Sequence, residues 1–128
     1  MKLNKAFPVF ANTPPWNALI LLGVRKFKTL GFDWKYRGTV YLYDSKRSNP
    51  ETMEYGFDYG LDRGVPKRRV QNLIAPGFIV GTVDIIRNRS WDECEEGEHE
   101  IELANPVRFK KPTPFSWPKG AIRIARIK

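Results

Sequence analysis

The sequence contains one cysteine and one histidine in 128 residues, which excludes several kinds of site. A single thiol cannot form an intrachain disulfide, as is usual for intracellular proteins. Cys94 lies among acidic residues, a setting that disfavours a thiolate nucleophile. Cys94 and His99 cannot build a four-ligand zinc site without several carboxylates, and no motif of a catalytic triad surrounds His99. We therefore predict no metal, no cofactor and no catalytic residues of these classes.

Long hydrophobic runs are also absent. The longest, Ala18 to Val24, is interrupted by Gly23 and is far shorter than the roughly 20 residues of a membrane span. The first residues lack the features of a secretory signal, so we expect a cytoplasmic protein with no membrane contact. The hydrophobic fraction of 41% and the aromatic fraction of 13% are too high for a disordered chain. We expect residues 1–128 to form a single domain.

Acidic residues are scarce outside one short segment. Seven of the 14 Asp and Glu residues lie between Asp92 and Glu102, where no Lys or Arg occurs. The rest of the chain holds all 22 Lys and Arg against the other 7 acids, a net charge of +15. Such a surplus attracts polyanions, so we expect a nucleic-acid partner. Ser90 to Glu93 is expected to form a short helical turn that leads into a solvated loop.

The distribution of apolar and breaker residues predicts an α+β domain. Asn12 or Thr13 is placed to cap an early helix that ends at Gly23. Several strands with one early helix predict a small mixed β-barrel. Runs of β-branched and aromatic residues predict the strands, which are Ala6–Phe10, Lys26–Leu30, Thr39–Tyr43, Phe78–Ile86, Ile101–Phe109 and Ala121–Ile127.

The segment from Asp44 to Gln71 is polar and contains repeated breakers, among them Gly56, Gly60 and Gly64. Such breakers are typical of turns and loops. We therefore predict a long loop with one helical turn. The run Lys67-Arg68-Arg69 near its end makes this the long basic loop of the domain.

Four motifs occur in order along the chain. Pro15-Trp16 opens the early helix that Gly23 ends, and Arg37-Gly38 precedes a strand with Tyr41-Leu42-Tyr43. Gly77-Phe78-Ile79-Val80-Gly81 forms a central strand, and Glu102 to Val107 begins a closing segment that continues to Lys119-Gly120. Together these motifs resemble the ASCH family of the PUA-like superfamily, from about Ala6 to Ile127. The resemblance implies a PUA-like β-barrel with a cleft beside the early helix, lined by Gly23, Arg25, Lys28 and Arg37.

The chain departs from the family at the positions that carry chemistry. The family pattern G-x-K-x-x-E-x-R is matched here only by Gly23, because Arg25, Lys28 and Leu30 hold the Lys, Glu and Arg positions. Arginine keeps its proton and cannot replace a lysine base or nucleophile, and Lys28 cannot supply a carboxylate. The resemblance therefore implies loss of acid–base chemistry and a gain in affinity for anions.

These observations favour a non-catalytic module that binds RNA, another single-stranded nucleic acid or a nucleotide. Clustered cations are expected to contact phosphates, and indole rings are expected to stack on bases. For Trp34 and Trp117, packing in the core is an equal alternative to base stacking. For Arg37, the alternative to a phosphate contact is an ion pair with a carboxylate that stabilises the barrel. The predicted contact residues are Arg25, Lys26, Lys28, Lys35, Arg37, Lys67, Arg68, Trp34 and Trp117.

Two other functions remain open on the sequence alone. One is an RNA- or nucleoside-directed hydrolase or nuclease of the same family, with catalytic groups at other positions. The other is a mobile-element factor that binds a protein partner through its charged surfaces.

Overall fold

The computed structural model describes residues 2–89 and 98–128. The elements in these ranges are six strands and three helices, which confirm the α+β class. The strands are β1 Val9–Asn12, β2 Phe27–Leu30, β3 Gly38–Asp44, β4 Phe78–Arg89, β5 His99–Pro114 and β6 Ile124–Ala125. The helices are α1 Trp16–Leu21, α2 Pro50–Leu61 and α3 Lys67–Gln71. None of these helices is long and apolar enough to span a membrane.

The strands form one sheet in the order β2-β5-β4-β3-β1-β6. Only β1 and β3 pair in parallel, while every other pairing is antiparallel. The sheet curls into a half-barrel, so that its two edges approach each other. Trp34, shortly after β2, packs its ring 5.3 Å from that of Phe10 in β1, near the opposite edge. The barrel-like architecture expected from the sequence is thus present.

Alternation along the strands divides the apolar side chains between the two faces of the sheet. Val40 and Leu42 of β3 point to the inner face, whereas Tyr41 and Tyr43 point to the outer face. Residues before β1 and after β5 cover the outer face, among them Phe7 and Trp117. A third apolar cluster joins the three helices through Leu19, Phe57 and Val70, among others. The early helix therefore packs against both the sheet and the other two helices.

The structure corrects the prediction for Asp44 to Gln71. This segment folds into α2 and α3 rather than a long basic loop with one helical turn. Asn49 caps α2, because its side chain accepts hydrogen bonds from the amides of Glu51 and Thr52. Gly56 and Gly60 lie buried within α2 and do not break it. A methyl group at Gly56 would collide with Pro15, so the glycines allow α2 to pack closely against the start of α1.

The end of α1 agrees with the prediction from the sequence, but the capping at its beginning does not. Gly23 has φ +78° immediately after the helix, the left-handed conformation that favours glycine at a helix end. The predicted cap by Asn12 or Thr13 is wrong. Pro15 occupies the N-cap position, and no side chain caps the helix there. Asn12 is instead buried and donates a hydrogen bond to Asn17 Oδ1 at 2.8 Å.

Asn12 belongs to a buried polar network that ends on the carboxylate of Asp44, which is 1% exposed. Asn17 Nδ2 donates to Asp44 Oδ1 at 2.9 Å, and the Ala75 amide donates to Oδ2 at 2.8 Å. Burial raises the pKa of Asp44, although these hydrogen bonds from Ala75 and Asn17 act in the opposite direction. The network connects β1, α1, β3 and the chain entering β4, and so fixes α1 on the sheet.

The remaining differences concern the ends of elements. The first strand begins three residues later than predicted, at Val9, and the last is shorter, Ile124–Ala125. β4 and β5 are both longer than predicted, because each pairs with the other over most of its length. The helical turn predicted at Ser90 to Glu93 lies outside the described residues.

Asp44→Asn tests the polar network. An amide NH₂ cannot accept both hydrogen bonds, so at least one buried donor loses its partner. We expect the free energy of unfolding to fall by about 1–3 kcal/mol. Urea denaturation at neutral pH measures this, with Asp58→Asn on the exposed face of α2 as the same chemical change outside the network. Equal stability of the two variants would contradict the assigned role.

Candidate nucleic-acid interface

Arg25 is held at the end of α1 by two aromatic rings. The turn at Gly23 brings the amides of Val24 and Arg25 back to the Leu19 carbonyl, each at 3.2 Å. The guanidinium carbon of Arg25 lies 4.8 Å from the ring centroid of Trp16 and 5.3 Å from that of Tyr59. Both contacts are within cation–π distance. Trp16 therefore supports Arg25 rather than serving as a free stacking platform.

Arg25 is not fully satisfied by these contacts. Its Nε is buried, and no described residue forms a hydrogen bond with it. Buried polar atoms in folded proteins nearly always have a partner, and an unsatisfied donor beside a charge is a place where an anion gains affinity. The helix end thus presents a fixed guanidinium with unused hydrogen-bonding capacity.

Lys28 points toward the interior of the half-barrel. It shares one face of β2 with buried Leu30, and its register partner on β5 is the fully buried Ile101. Burial, together with the nearby charges of Arg25 and Arg123, lowers the pKa of Lys28 from 10.5 to about 8. Lys28 forms no ion pair with any residue in the described ranges. It is a partly desolvated cation with no counter-charge paired to it among residues 2–89 and 98–128.

Arg123 completes a cluster of three cations. It directly precedes β6, at the edge of the sheet opposite to β2, and its charge acts on Lys28 because the curled sheet brings the two edges together. We call Arg25, Lys28 and Arg123 the cationic cleft. Nothing in the sequence marks Arg123, since it is separated from Lys28 by 95 positions and the closure of the sheet alone joins them.

Two acids of the acidic segment, Glu100 and Glu102, point away from Lys28. Glu100 and Glu102 alternate with Ile101 on β5, so they lie on the face opposite to Lys28. Glu102 is instead bound by Arg87, with Nε 2.7 Å from Oε2. The other acids between Asp92 and Glu96 lie outside the described residues. Glu100 and Glu102, which are separated from the basic residues in the sequence, are thus also separated from Lys28 by lying on the other face of the sheet.

The predicted contact residues in the segment between β2 and β3 point to two different sides of that segment. Phe32, Trp34 and Tyr36 face the inner core, whereas Lys35 and Arg37 are exposed on the other side of the extended segment. Trp34 is packed between the rings of Phe10 and Tyr36. The segment thus uses its aromatic side chains for packing.

The two exposed cations of this segment have partners within the protein. Lys35 forms an ion pair with Asp33, and the hydrogen bond from Lys35 lowers the pKa of Asp33. Arg37 donates to the backbone carbonyls of Trp34 and Tyr36, at 3.0 and 2.6 Å, and stabilises the turn before β3. Neither residue is brought into the cationic cleft by any described contact.

The other predicted residues occupy three separate surfaces. Lys26 is exposed and lines a cavity of about 340 Å³ together with Gly23 and Arg25, but Glu102 lines it as well. Lys67 and Arg68 lie exposed on α3, where Lys67 covers the ring of Phe57. Trp117 lines a different cavity on the outer face of the sheet.

The cationic cleft offers electrostatic binding of an anion. Arginine remains charged at all physiological pH values, and a phosphate bound between Arg25, Lys28 and Arg123 would replace water around partly buried donors. Within residues 2–89 and 98–128, no group of three His, Cys, Asp or Glu side chains could hold a metal ion.

Comparison with known proteins adds no relative. No protein-family model matches the chain, and no curated protein matches it. The resemblance to the ASCH family therefore remains a prediction from the sequence motifs.

Lys28→Met tests whether the cleft holds a costly charge. Because the pKa of the folded state lies below the ordinary value of 10.5, the native protein binds fewer protons than the unfolded chain between the two values. Wild-type stability should therefore rise with pH from about 8 to 10.5. Removing the ammonium should raise the free energy of unfolding at neutral pH by roughly 1–3 kcal/mol.

Urea denaturation in a phosphate-free buffer measures this effect. The matched control is Lys26→Met, which removes an exposed lysine two positions away and should change stability little. If Lys28→Met is no more stable than Lys26→Met, the ammonium is not destabilised in the fold, and the description of the cleft is wrong.

Proposed function

We propose that this chain is a non-catalytic module of the ASCH type that binds RNA or another single-stranded nucleic acid through the cationic cleft. The observation that carries the proposal is the convergence of Arg25, Lys28 and Arg123 with no carboxylate paired to Lys28 among the described residues. Clustered cations normally acquire protein counter-charges unless their partner is an external anion. A phosphate backbone supplies such an anion repeatedly.

The fold supports the ASCH assignment in two places. The early helix ends at Gly23, and the cleft residues Arg25 and Lys28 follow it, where the family resemblance places a ligand cleft. Gly81, in the central-strand motif, is buried where a methyl group would collide with the Val107 carbonyl and the Leu21 side chain. This glycine lets α1 sit close to β4 and β5, which is a physical reason for its place in the motif.

The position of Lys28 also supports phosphate as the ligand. A desolvated ammonium gains more from an anion than an exposed one, because the local dielectric constant is lower and less water must be displaced. Binding would raise the pKa of Lys28 back toward its ordinary value and relieve repulsion from Arg25 and Arg123. The Lys28 ammonium that lowers the stability of the ligand-free protein is therefore the same group that would bind the anion.

One observation favours the hydrolase alternative. A lysine whose pKa is about 8 has a substantial neutral fraction near neutral pH and could act as a base or nucleophile. Its immediate cationic neighbours are arginines, however, which cannot exchange protons with it. The ASCH family, which the chain resembles, includes hydrolases of acetylated cytidine. Turnover of that nucleoside that Lys28→Arg abolishes would select this alternative over the binding module.

The binding proposal is tested by removing two cleft charges. Lys28→Gln with Arg123→Gln should weaken binding of a short single-stranded RNA by at least about tenfold, because two charge-assisted contacts are lost. The slope of log affinity against log salt should become shallower by about 1.4, since each phosphate contact on a single strand contributes about 0.7. Fluorescence anisotropy of a labelled strand measures both quantities.

The matched control is Lys67→Gln with Arg68→Gln, which removes the same net charge from exposed positions on α3. If the two double variants lose affinity equally, general charge rather than the cleft attracts the strand. If the α3 variant loses more, the strand follows the α3 surface. Binding of an acidic protein in preference to RNA or single-stranded DNA would favour the protein-interaction alternative.

A further inference from the structure

A second cavity lies on the outer face of the sheet, at the ends of β1 and β3. Its volume is about 430 Å³, within the range of small-ligand sites. One wall is formed by Tyr43 and Trp117, whose rings stack with centroids 5.0 Å apart and an interplanar angle of 21°. Trp117 is fixed there by a hydrogen bond from its Nε1 to the Ala121 carbonyl at 2.8 Å. The cavity therefore has a rigid aromatic wall.

Tyr43 brings an unused polar group to this wall. The residue is 3% exposed, and no hydrogen bond joins its hydroxyl to a residue that the structure describes, although the hydroxyl oxygen is not among the fully buried polar atoms. Burial raises the pKa of Tyr43, and the neighbouring charge of Asp44 raises it further, so the hydroxyl keeps its proton at neutral pH. A tyrosine hydroxyl can donate one hydrogen bond. An acceptor on a ligand in the cavity would receive it.

The lining of the cavity also contains cations. Lys46 and Arg47 line it, and neither forms an ion pair with a residue in the described ranges. The lining contains no Asp or Glu among the residues that the structure describes. Ile122 stands at the same cavity with 87% of its surface exposed, an apolar surface that a planar ligand would cover.

The cavity adjoins the cationic cleft along the chain. Ile122 lines the cavity, and the next residue, Arg123, belongs to the cleft. The cleft and the cavity therefore border the same edge of the sheet. An aromatic wall, a tyrosine donor and two cations together match a base attached to a phosphate, whereas a simple anion would make no use of the wall.

We propose that this cavity binds one nucleoside monophosphate unit, with its base against Trp117 and Tyr43 and its phosphate at Lys46 and Arg47. The Tyr43 hydroxyl donates to an acceptor on the base. This inference deepens the proposed function, because the unit is either one nucleotide of the strand held by the cleft or a free nucleotide. Both sources share the same chemistry, and they are separated by experiment.

The test uses the indole N–H signals of the full chain in two-dimensional NMR, with Trp117 assigned by Trp117→Phe. Uridine and adenosine monophosphate should shift the Trp117 signal in a saturable manner and leave the Trp16 signal in place. Tyr43→Phe keeps the ring and removes the hydroxyl, and should weaken binding roughly three- to tenfold. Lys46→Gln with Arg47→Gln should weaken the monophosphates more than the nucleosides without phosphate.

Three results would overturn the proposal: no shift of the Trp117 signal, the same shift with inorganic phosphate alone, or unchanged affinity in Tyr43→Phe. A short RNA strand that shifts Trp117 at lower concentration than the monophosphates identifies the unit as part of a strand, and the reverse order identifies a free nucleotide. If RNA binds through the cleft while Trp117 stays unmoved, the cavity assignment alone fails. If monophosphates move Trp117 and RNA does not bind, the cleft proposal alone fails.

Discussion

The buried carboxylate of Asp44 is the constraint on which both candidate sites depend. The hydrogen bonds that it accepts from Asn17 and from the Ala75 amide fix α1 against the sheet. The position of α1 in turn determines where Gly23 turns the chain and where Arg25 is held. Asp44 also ends β3 between Tyr43 and the turn that carries Lys46 and Arg47. One desolvated acid, which accepts a hydrogen bond on each carboxylate oxygen, thus positions cations on two sides of the sheet without lining either candidate site.

Curling of the sheet brings cations that are far apart in the sequence together in the cationic cleft. A flat sheet would keep β2 and β6 at opposite ends, whereas the half-barrel brings Arg123 close enough to lower the pKa of Lys28. The alternation of β5 directs Glu100 and Glu102 away from Lys28. The fold therefore tolerates repulsion at the cleft, as sites for external anions commonly do, and a bound phosphate would relieve that repulsion.

Features of the fold that depend on neighbouring residues were predicted from the sequence, whereas features that depend on tertiary contacts were not. The β-branched runs identified all six strands, and Gly23 ended the helix as expected, because both effects act within a few residues. Gly56 and Gly60 misled the prediction for α2, since their role in packing against α1 appears only when the helices meet. For the site, Arg25 and Lys28 were found as neighbours in sequence, whereas Arg123 and the pairing of Tyr43 with Trp117 depend on tertiary contacts.

The pKa of Lys28 reports both the burial of the cleft and its occupancy by an anion, so its measurement is the sharpest test of the proposed site. Titration of the Lys28 side-chain signals by NMR should give a pKa of about 8 in the free protein. Addition of a short single-stranded RNA should move that pKa upward, since a bound phosphate favours the ammonium. An ordinary lysine pKa in the free protein, unchanged when RNA is added, would show that this cleft is not built for an anion.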